Sequence, residues 1–298
     1  MASDIAWEWY RSFWEVAQQG SLSAAARALG LTQPTLGRHI ASLEAQLSQR
    51  LFVRSASGLQ LTEQGRSLLP YAQSMATTAA ALQRAATAQT QAVMGTVRIS
   101  ASEIFATEVL PGILLPVTQT HAGLALEIVA TDKLDDLLHR ESDIAVRMLR
   151  PTQEALIAKH IGCVELGLYA HQHYLRRQGL PCSLQQLLAA PHRLIGFDQL
   201  SPFARQLIQR WPQLQRSAFT FRTDSAASSM ALLRAGAGIG LCQAPLARRE
   251  PALQRLLPEV VSVQLDVWLA MHEDLRAQPA CQAVFNALAQ GLGSYLGG

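Results

Sequence analysis

The sequence predicts an α/β protein preceded by a small all-α domain with a β wing, and three features carry that expectation. Residues 21–65 hold two short amphipathic helical patterns around a glycine corner. Residues 68–93 form one alanine-rich stretch with no proline after Pro70 and no glycine until Gly95. From Gly95 onward, short apolar runs alternate with helical patterns, which argues for parallel sheet in an open α/β fold. At 298 residues, 49% of them hydrophobic, the chain can hold two to three domains with cores of their own.

In the first segment Ser21 is placed to cap a helix whose apolar face is Leu22, Ala25, Ala26 and Leu29. Gly30 supplies a left-handed stop, and Leu31 is expected to pack into the corner. Thr32 can cap the next helix, and Pro34 is tolerated in a first turn whose N–H groups have no intrahelical acceptor. Leu36, Ile40, Leu43 and Leu47 then recur at helical spacing and must face inward. The opposite face carries Gln33, Thr35, Arg38 and Ser42, types able to bond base edges or phosphates, while Gly37 and Ala41 leave room for close approach. A two-helix corner without nucleic acid would use the same apolar stripes. The net charge of +3 is mild, so a DNA-binding patch has to be local, and residues 21–65 hold four arginines against two glutamates.

The order of Phe13, Val16, Gly20, Ser21, Ala25, Ala26, Leu29, Gln33, Pro34, Arg38, Ile40, Leu43, Glu44, Leu47, Leu51, Phe52, Arg54, Leu61, Thr62 and Gly65 resembles the amino-terminal pattern of the LysR-type transcriptional regulators. Two departures stand out. Gly37 replaces the usual Ser, and the wing from Ser55 to Gln60 lacks basic residues, so backbone affinity should lean on Arg38, Arg50 and Arg54. The resemblance implies a winged helix-turn-helix over residues 1–66, with Gln33, Pro34, Thr35, Arg38, Ser42 and Arg54 facing DNA. It also implies a linker and dimerisation helix over 67–94, and a homodimer or dimer of dimers on double-stranded promoter DNA.

Within the linker, Leu68, Ala72, Met75, Ala79, Leu82, Ala86 and Val93 follow steps of four and three with Gln89 interrupting, the narrow stripe of a coiled-coil seam. Beyond it, strands are expected at Thr96–Ala101, Leu124–Ala130 and Asp143–Met148, with helices beginning near Ser102 and Asp132. A second set follows the strand at Gly162–Ala170: strands near Leu194–Phe197 and Phe219–Arg222, a helix at Ser225–Ala235 and a strand at Ile239–Cys242. A strand within Val260–His272 returns the chain, which ends in a helix from Pro279 to Tyr295. Two crossings between two α/β lobes make a hinged cleft. This resembles the LysR-type effector-binding domain, which looks like a periplasmic binding protein, over residues 95–298 (lobe I 95–162 and 268–298, lobe II 163–267).

Open α/β lobes bind ligands at the carboxyl ends of their strands. That rule points to Ser102, Thr131, Arg147 and Met148 in one lobe and Phe197, Thr223 and Ser225 in the other. Ser102, Thr131 and Ser225 serve equally well as helix caps. Helix N-termini with Arg147 suit a small-molecule effector that is a carboxylate or other anion, and Phe197 suits its apolar part. Arg147 is equally able to pair with Asp132, Asp143 or Glu141.

Signals for an enzyme are poor, with no GxSxG, HExxH or Walker lysine. The run from Gly236 to Gly240 follows a helix and leads into a strand, the reverse of a dinucleotide loop, and reads as a helix stop with close packing. His171 and His173 read as surface residues. Cys163, Cys182, Cys242 and Cys281 have neither CxxC nor metal spacing, which suggests a reducing compartment and inert thiols. No cofactor or metal is expected. The amino terminus lacks the apolar core of a signal peptide, and no run of 18 apolar residues occurs. No membrane partner and a cytoplasmic location are therefore expected.

Overall fold

The computed structural model describes residues 5–55, 58–87, 93–131, 142–151, 156–189 and 191–297. The described residues divide into two compact units, 5–87 and 93–297.

The first unit runs α1 (Trp7–Gln19), α2 (Leu22–Leu29), α3 (Gln33–Leu47), β1 (Phe52–Ser55), β2 (Gly58–Leu61) and α4 (Glu63–Thr87). Its core joins Phe13 and Val16 of α1, Ala25 and Ala26 of α2, Leu36, Ile40 and Leu43 of α3, and Ala72 of α4, so the helical stripes face inward as expected. Gly30 is left-handed at φ 65°, and Thr32 Oγ1 accepts the Thr35 N–H at 3.4 Å. Ser21 sits at the cap of α2, yet its hydroxyl makes no cap hydrogen bond. Leu31 stays 38% exposed, because the corner is closed through its backbone N–H to Ala26 O.

Two close contacts lock the wing. Leu59 N–H donates to Gly20 O at 2.9 Å. Glu44 Oε1 accepts the N–H groups of Leu51 and Phe52 at 2.7 and 3.2 Å, and Oε2 meets Arg50 at 3.2 Å. One carboxylate at the end of α3 thus satisfies two backbone donors where the chain turns into β1, an arrangement of charge-assisted bonds.

The linker helix begins earlier than its apolar pattern, at Glu63, and Val93 lies outside it, in coil before the next strand. Gln89 and the side chain of Ala86 lie outside the described residues. The expected seam divides in two: Leu68 and Ala72 pack into the core of their own unit, whereas Met75 and Leu82 are exposed, Leu82 at 71%.

The second unit opens with β3 (Gly95–Ala101), a helical segment from Glu103 that becomes a π turn over Phe105–Val109, and α5 (Leu110–Thr120). Then come β4 (Leu124–Ala130), β5 (Ile144–Arg147), the 16-residue β6 (Leu156–His171), α6 (Gln172–Gln178), α7 (Leu184–Leu188), β7 (Ile195–Gly196), α8 (Pro202–Arg210), β8 (Phe221–Arg222) and α9 (Ala226–Arg234). The last elements are β9 (Ile239–Gln243), α10 (Ala244–Arg248), β10 (Leu253–Leu256), β11 (Ser262–His272) and α11 (Pro279–Gly297). The helix expected near Asp132 lies outside the described residues.

The seven-stranded sheet follows the order β10-β6-β11-β5-β3-β4, with β9 also on β6. It is mixed, which corrects the expectation of a parallel sheet. β3 pairs in parallel with β4 and β5, while β11 runs antiparallel to β5 and β6, and β6 antiparallel to β9 and β10. Hydrophobic periodicity marks a strand without its direction, which the connections and pairing decide. β6 pairs β11 along Leu156–Gly167 and β9 along Leu166–Ala170, so one long strand serves both ends of the sheet. The glycine run behaves as expected. Gly236 ends α9 at φ 66°, and a Cβ on Gly238 would lie 2.5 Å from Arg193 O.

Glu165 of β6 takes a bidentate hydrogen bond from Arg255 of β10 and a 2.7 Å bond from Ser262 Oγ. Arg255 first and Ser262 second hold the Glu165 carboxyl at about 2, well below its ordinary value near 4.5. A depressed carboxylate contributes stability that is complete above its unfolded pKa and is lost as the pH falls through the folded one. Melting temperatures of the wild type should therefore drop between about pH 5 and pH 2, and Glu165→Gln should be less stable at pH 7 with a shallower acid limb. Parallel acid limbs in the two melting profiles would contradict this.

Candidate functional site

On the first unit the candidate surface is the outer face of α3. Gln33, Pro34 and Arg38 are exposed, and Thr35 and Ser42 are partly exposed. Ser23 Oγ donates to Gln33 Oε1 at 2.9 Å, and Thr35 Oγ1 shares a 2.9 Å bond with Thr32 Oγ1. Both bonds orient polar groups at the start of α3, where the positive end of the helix dipole favours an anion such as phosphate. Arg38 lies one turn further on, with an exposed guanidinium that makes no hydrogen bond among the described residues. Arg54 is in β1, but its side chain lies outside the described residues. The structure thus brings Gln33, Pro34, Thr35, Arg38 and Ser42 together on one helix.

On the second unit, the parallel register of β3 with β4 and β5 sets their carboxyl ends side by side. Ala101 pairs with Ala130 and Val146, and Thr131 N–H donates to Ala101 O at 2.8 Å. Ser102, Thr131 and Arg147 therefore share one sheet edge. Ser102 is buried, and its hydroxyl has no hydrogen-bond partner among the described residues. Its carbonyl accepts from Ala106, but its side chain does not cap the helix, so the capping role fails here. An orphaned buried hydroxyl costs about 1–3 kcal/mol and is the kind of group a ligand satisfies.

Arg147 is buried and held by its own sheet. Its Nη2 donates to Ser100 Oγ at 2.8 Å and its Nη1 to Val146 O at 3.0 Å, while Ser142 Oγ also donates to Ser100 Oγ. Asp143, one of its expected partners, accepts the Arg98 backbone N–H at 2.8 Å. The other two, Asp132 and Glu141, lie outside the described residues. Met148 packs against the main apolar core of this unit, and Phe197 stacks edge-on against Phe219 at 4.9 Å.

Thr223 and Ser225 converge at the start of α9. Thr223 Oγ1 accepts the Ser225 N–H at 3.1 Å, and Ser225 Oγ caps α9 through Ser228 N–H at 3.0 Å. The same Ser225 hydroxyl donates to Glu103 Oε1 at 2.9 Å, and Glu103 Oε2 accepts the Ala227 N–H at 3.3 Å. The anion expected at a helix N-terminus is therefore present as the chain's own carboxylate. At the other end of α9, Arg234 binds Glu108 through both Nη atoms at 2.8 and 2.7 Å and Glu250 through Nε at 2.8 Å. Arg234 holds the Glu108 carboxyl below its ordinary pKa.

Between the two glutamates the backbone makes a π turn. Leu110 N–H bonds Phe105 O, an i to i+5 closure, and Pro111 has no N–H to offer Thr107. Sequence reasoning passed over Glu103 and Glu108. The available signal was a pair of acids flanking a segment that runs into Pro111.

The remaining candidates resolve structurally. His171 Nδ1 accepts the His173 N–H at the start of α6. Cys242 is buried, which pushes its thiol up to about 12 and leaves it inert. Cys281 is buried too, but Cys163 and Cys182 are exposed. Among the described residues no helix is long and apolar enough to cross a membrane.

Residues 90–293 match the family model described as the LysR substrate binding domain, and residues 7–66 match that of the bacterial regulatory helix-turn-helix protein, lysR family. The uncharacterized HTH-type transcriptional regulator YxjO of Bacillus subtilis is 26% identical over 87% of this chain and 88% of its own. The HTH-type transcriptional regulator CrgA of Neisseria meningitidis serogroup C is 25% identical over 83% and 82%. Among solved structures, full-length CbnR complexed with its target DNA superposes with a TM-score of 0.64 at 20% identity, covering 96% of this chain and 99% of that one.

Proposed function

This chain belongs to the LysR family of DNA-binding transcriptional regulators, and from that premise we propose how its two units divide the work. The first unit reads promoter DNA through Gln33, Pro34, Thr35, Arg38, Ser42 and Arg54, and the second carries the effector site. The observation that carries this reading is the outer face of α3: polar, exposed, and fixed to the wing by Glu44. Met75 and Leu82, exposed along α4, favour pairing of that helix with a second copy, giving a homodimer or dimer of dimers. The protein acts without catalysis, in the cytoplasm. Footprinting of the full chain on upstream DNA from its own genome should give paired half-sites, with affinity falling steeply as salt rises. Binding with no preference for any fragment would refute it.

The effector, a carboxylate or other small anion, is read as binding where Ser102, Thr131, Arg147 and Met148 of lobe I (95–162 and 268–298) face Phe197, Thr223 and Ser225 of lobe II (163–267). The unsatisfied Ser102 hydroxyl and the cap of α9 support this. Glu103 occupies the donors such an anion would use, so the incoming anion must displace it. Only its differential affinity for the two arrangements can move the lobes. Glu103→Gln removes the competing charge. In thermal-shift titrations with a panel of small carboxylates, the variant should reach half-saturation at roughly 5-fold lower concentration, the equivalent of about 1 kcal/mol. Identical titrations for both proteins would count against the site.

A further inference from the structure

Strands β6 and β11 are antiparallel neighbours, and residues opposite one another in such a pair point to the same face. Cys163 stands opposite Asp266, Gly162 opposite Val267 and His160 opposite Trp268, with a register shift between Val267 and Trp268. Across that shift β6 holds one residue more than β11, so Ile161 has no opposite number and the side-chain alternation of β6 is reset. Without the extra residue, His160 and Cys163, three apart, would project from opposite faces. With it, both join Asp266 on the exposed face, while Val164 and Val267 remain in the core. Asp266 Oδ1 lies 2.8 Å from His160 Nε2 and 3.3 Å from Cys163 Sγ, and the three atoms are all within 4.8 Å of one another.

We propose that His160, Cys163 and Asp266 form a binding site for one zinc ion. One imidazole nitrogen, one thiolate and one carboxylate make a borderline-soft donor set that suits Zn²⁺ and not the oxygen-preferring Mg²⁺ or Ca²⁺. Around tetrahedral zinc, the same three atoms would stand roughly 3.3–3.6 Å apart. They reach this from their present spacing by side-chain movements of about an ångström, on a backbone that the bulge has already shaped. Metal binding displaces the Cys163 thiol proton to solvent, and His160 binds through Nε2 as neutral imidazole with its ring proton on Nδ1. The fourth position faces water and stays open to a water molecule or small anion. The Trp268 ring, 4.8 Å from the His160 ring and 5.5 Å from the Arg150 guanidinium, walls one side. Zinc bound here clips together the two longest strands of the sheet at their point of irregular register.

The test is a Co²⁺ titration of the full chain, reduced and stripped of metal by chelator. The expected result is one equivalent bound with tetrahedral ligand-field bands and a thiolate-to-cobalt charge-transfer band, both bleached by one equivalent of Zn²⁺. Cys163→Ser should abolish the charge-transfer band, while Cys182→Ser, at the other exposed thiol, should leave it intact. Asp266→Asn should weaken binding by at least the roughly 10-fold that loss of a supporting group costs. A charge-transfer band that survives Cys163→Ser, or its absence at saturating Co²⁺ in the folded wild type, would overturn the proposal.

Discussion

Gly65→Ala should destabilise the first unit by about 3 kcal/mol, the upper end for overpacking, and lower its melting temperature by more than about 10 °C. Gly65 lies in the first turn of α4, where alanine is ordinarily the better residue by about 1 kcal/mol. Here the new Cβ would fall 2.3 Å from Leu51 O and 2.9 Å from Leu61 Cδ2. A backbone carbonyl cannot rotate away as a side-chain tip can, and Leu51 O is already committed to Thr62 N–H at 3.0 Å. The clash therefore outweighs the propensity gain. Gly37→Ala on α3 has the opposite sign. Its Cβ would meet nothing within 4 Å, so only the gain of about 1 kcal/mol remains. Circular-dichroism melts of both variants decide the matter, and a Gly65→Ala protein within 2 °C of wild type, roughly the resolution of such shifts, would show that the turn can give way.

Arg38→Ala should weaken binding to the protein's own operator by about 1–3 kcal/mol, roughly 5- to 150-fold, with the fold unchanged. Arg38 lies opposite the apolar stripe of Leu36, Ile40 and Leu43, all buried, and makes no hydrogen bond within the described residues. Its removal therefore costs the unit little. Fluorescence anisotropy on operator and on random duplex separates two roles. A base-edge contact loses affinity on the operator alone, whereas equal losses on both duplexes, with a reduced salt slope, would make Arg38 a phosphate contact.

Much of the first unit was legible in the sequence, because its determinants are local. Apolar spacing, a glycine corner and a threonine cap act within a few residues of one another and specify α2, α3 and the inward stripe directly. Leu31 departed from expectation because the backbone bond to Ala26 closes the corner without its side chain. The seam of α4 read as one stripe, but its first turns are drawn into the unit's own core. A heptad pattern cannot tell which neighbour will cover it.

In the second unit, the sequence by itself determined most strands and the placement of Ser102, Thr131 and Ser225 at their ends, since period-2 runs and their breaks are local too. Only the tertiary structure decided the direction of β6 and β11, which depends on which distant strands pair. It alone decided that Glu103 answers the N-terminus of α9, because that contact joins residues more than 120 positions apart. It also decided that Cys163, which looked solitary, stands beside His160 and Asp266. One extra residue in one strand reverses every side chain beyond it. That residue is visible only when the partner strand is laid alongside.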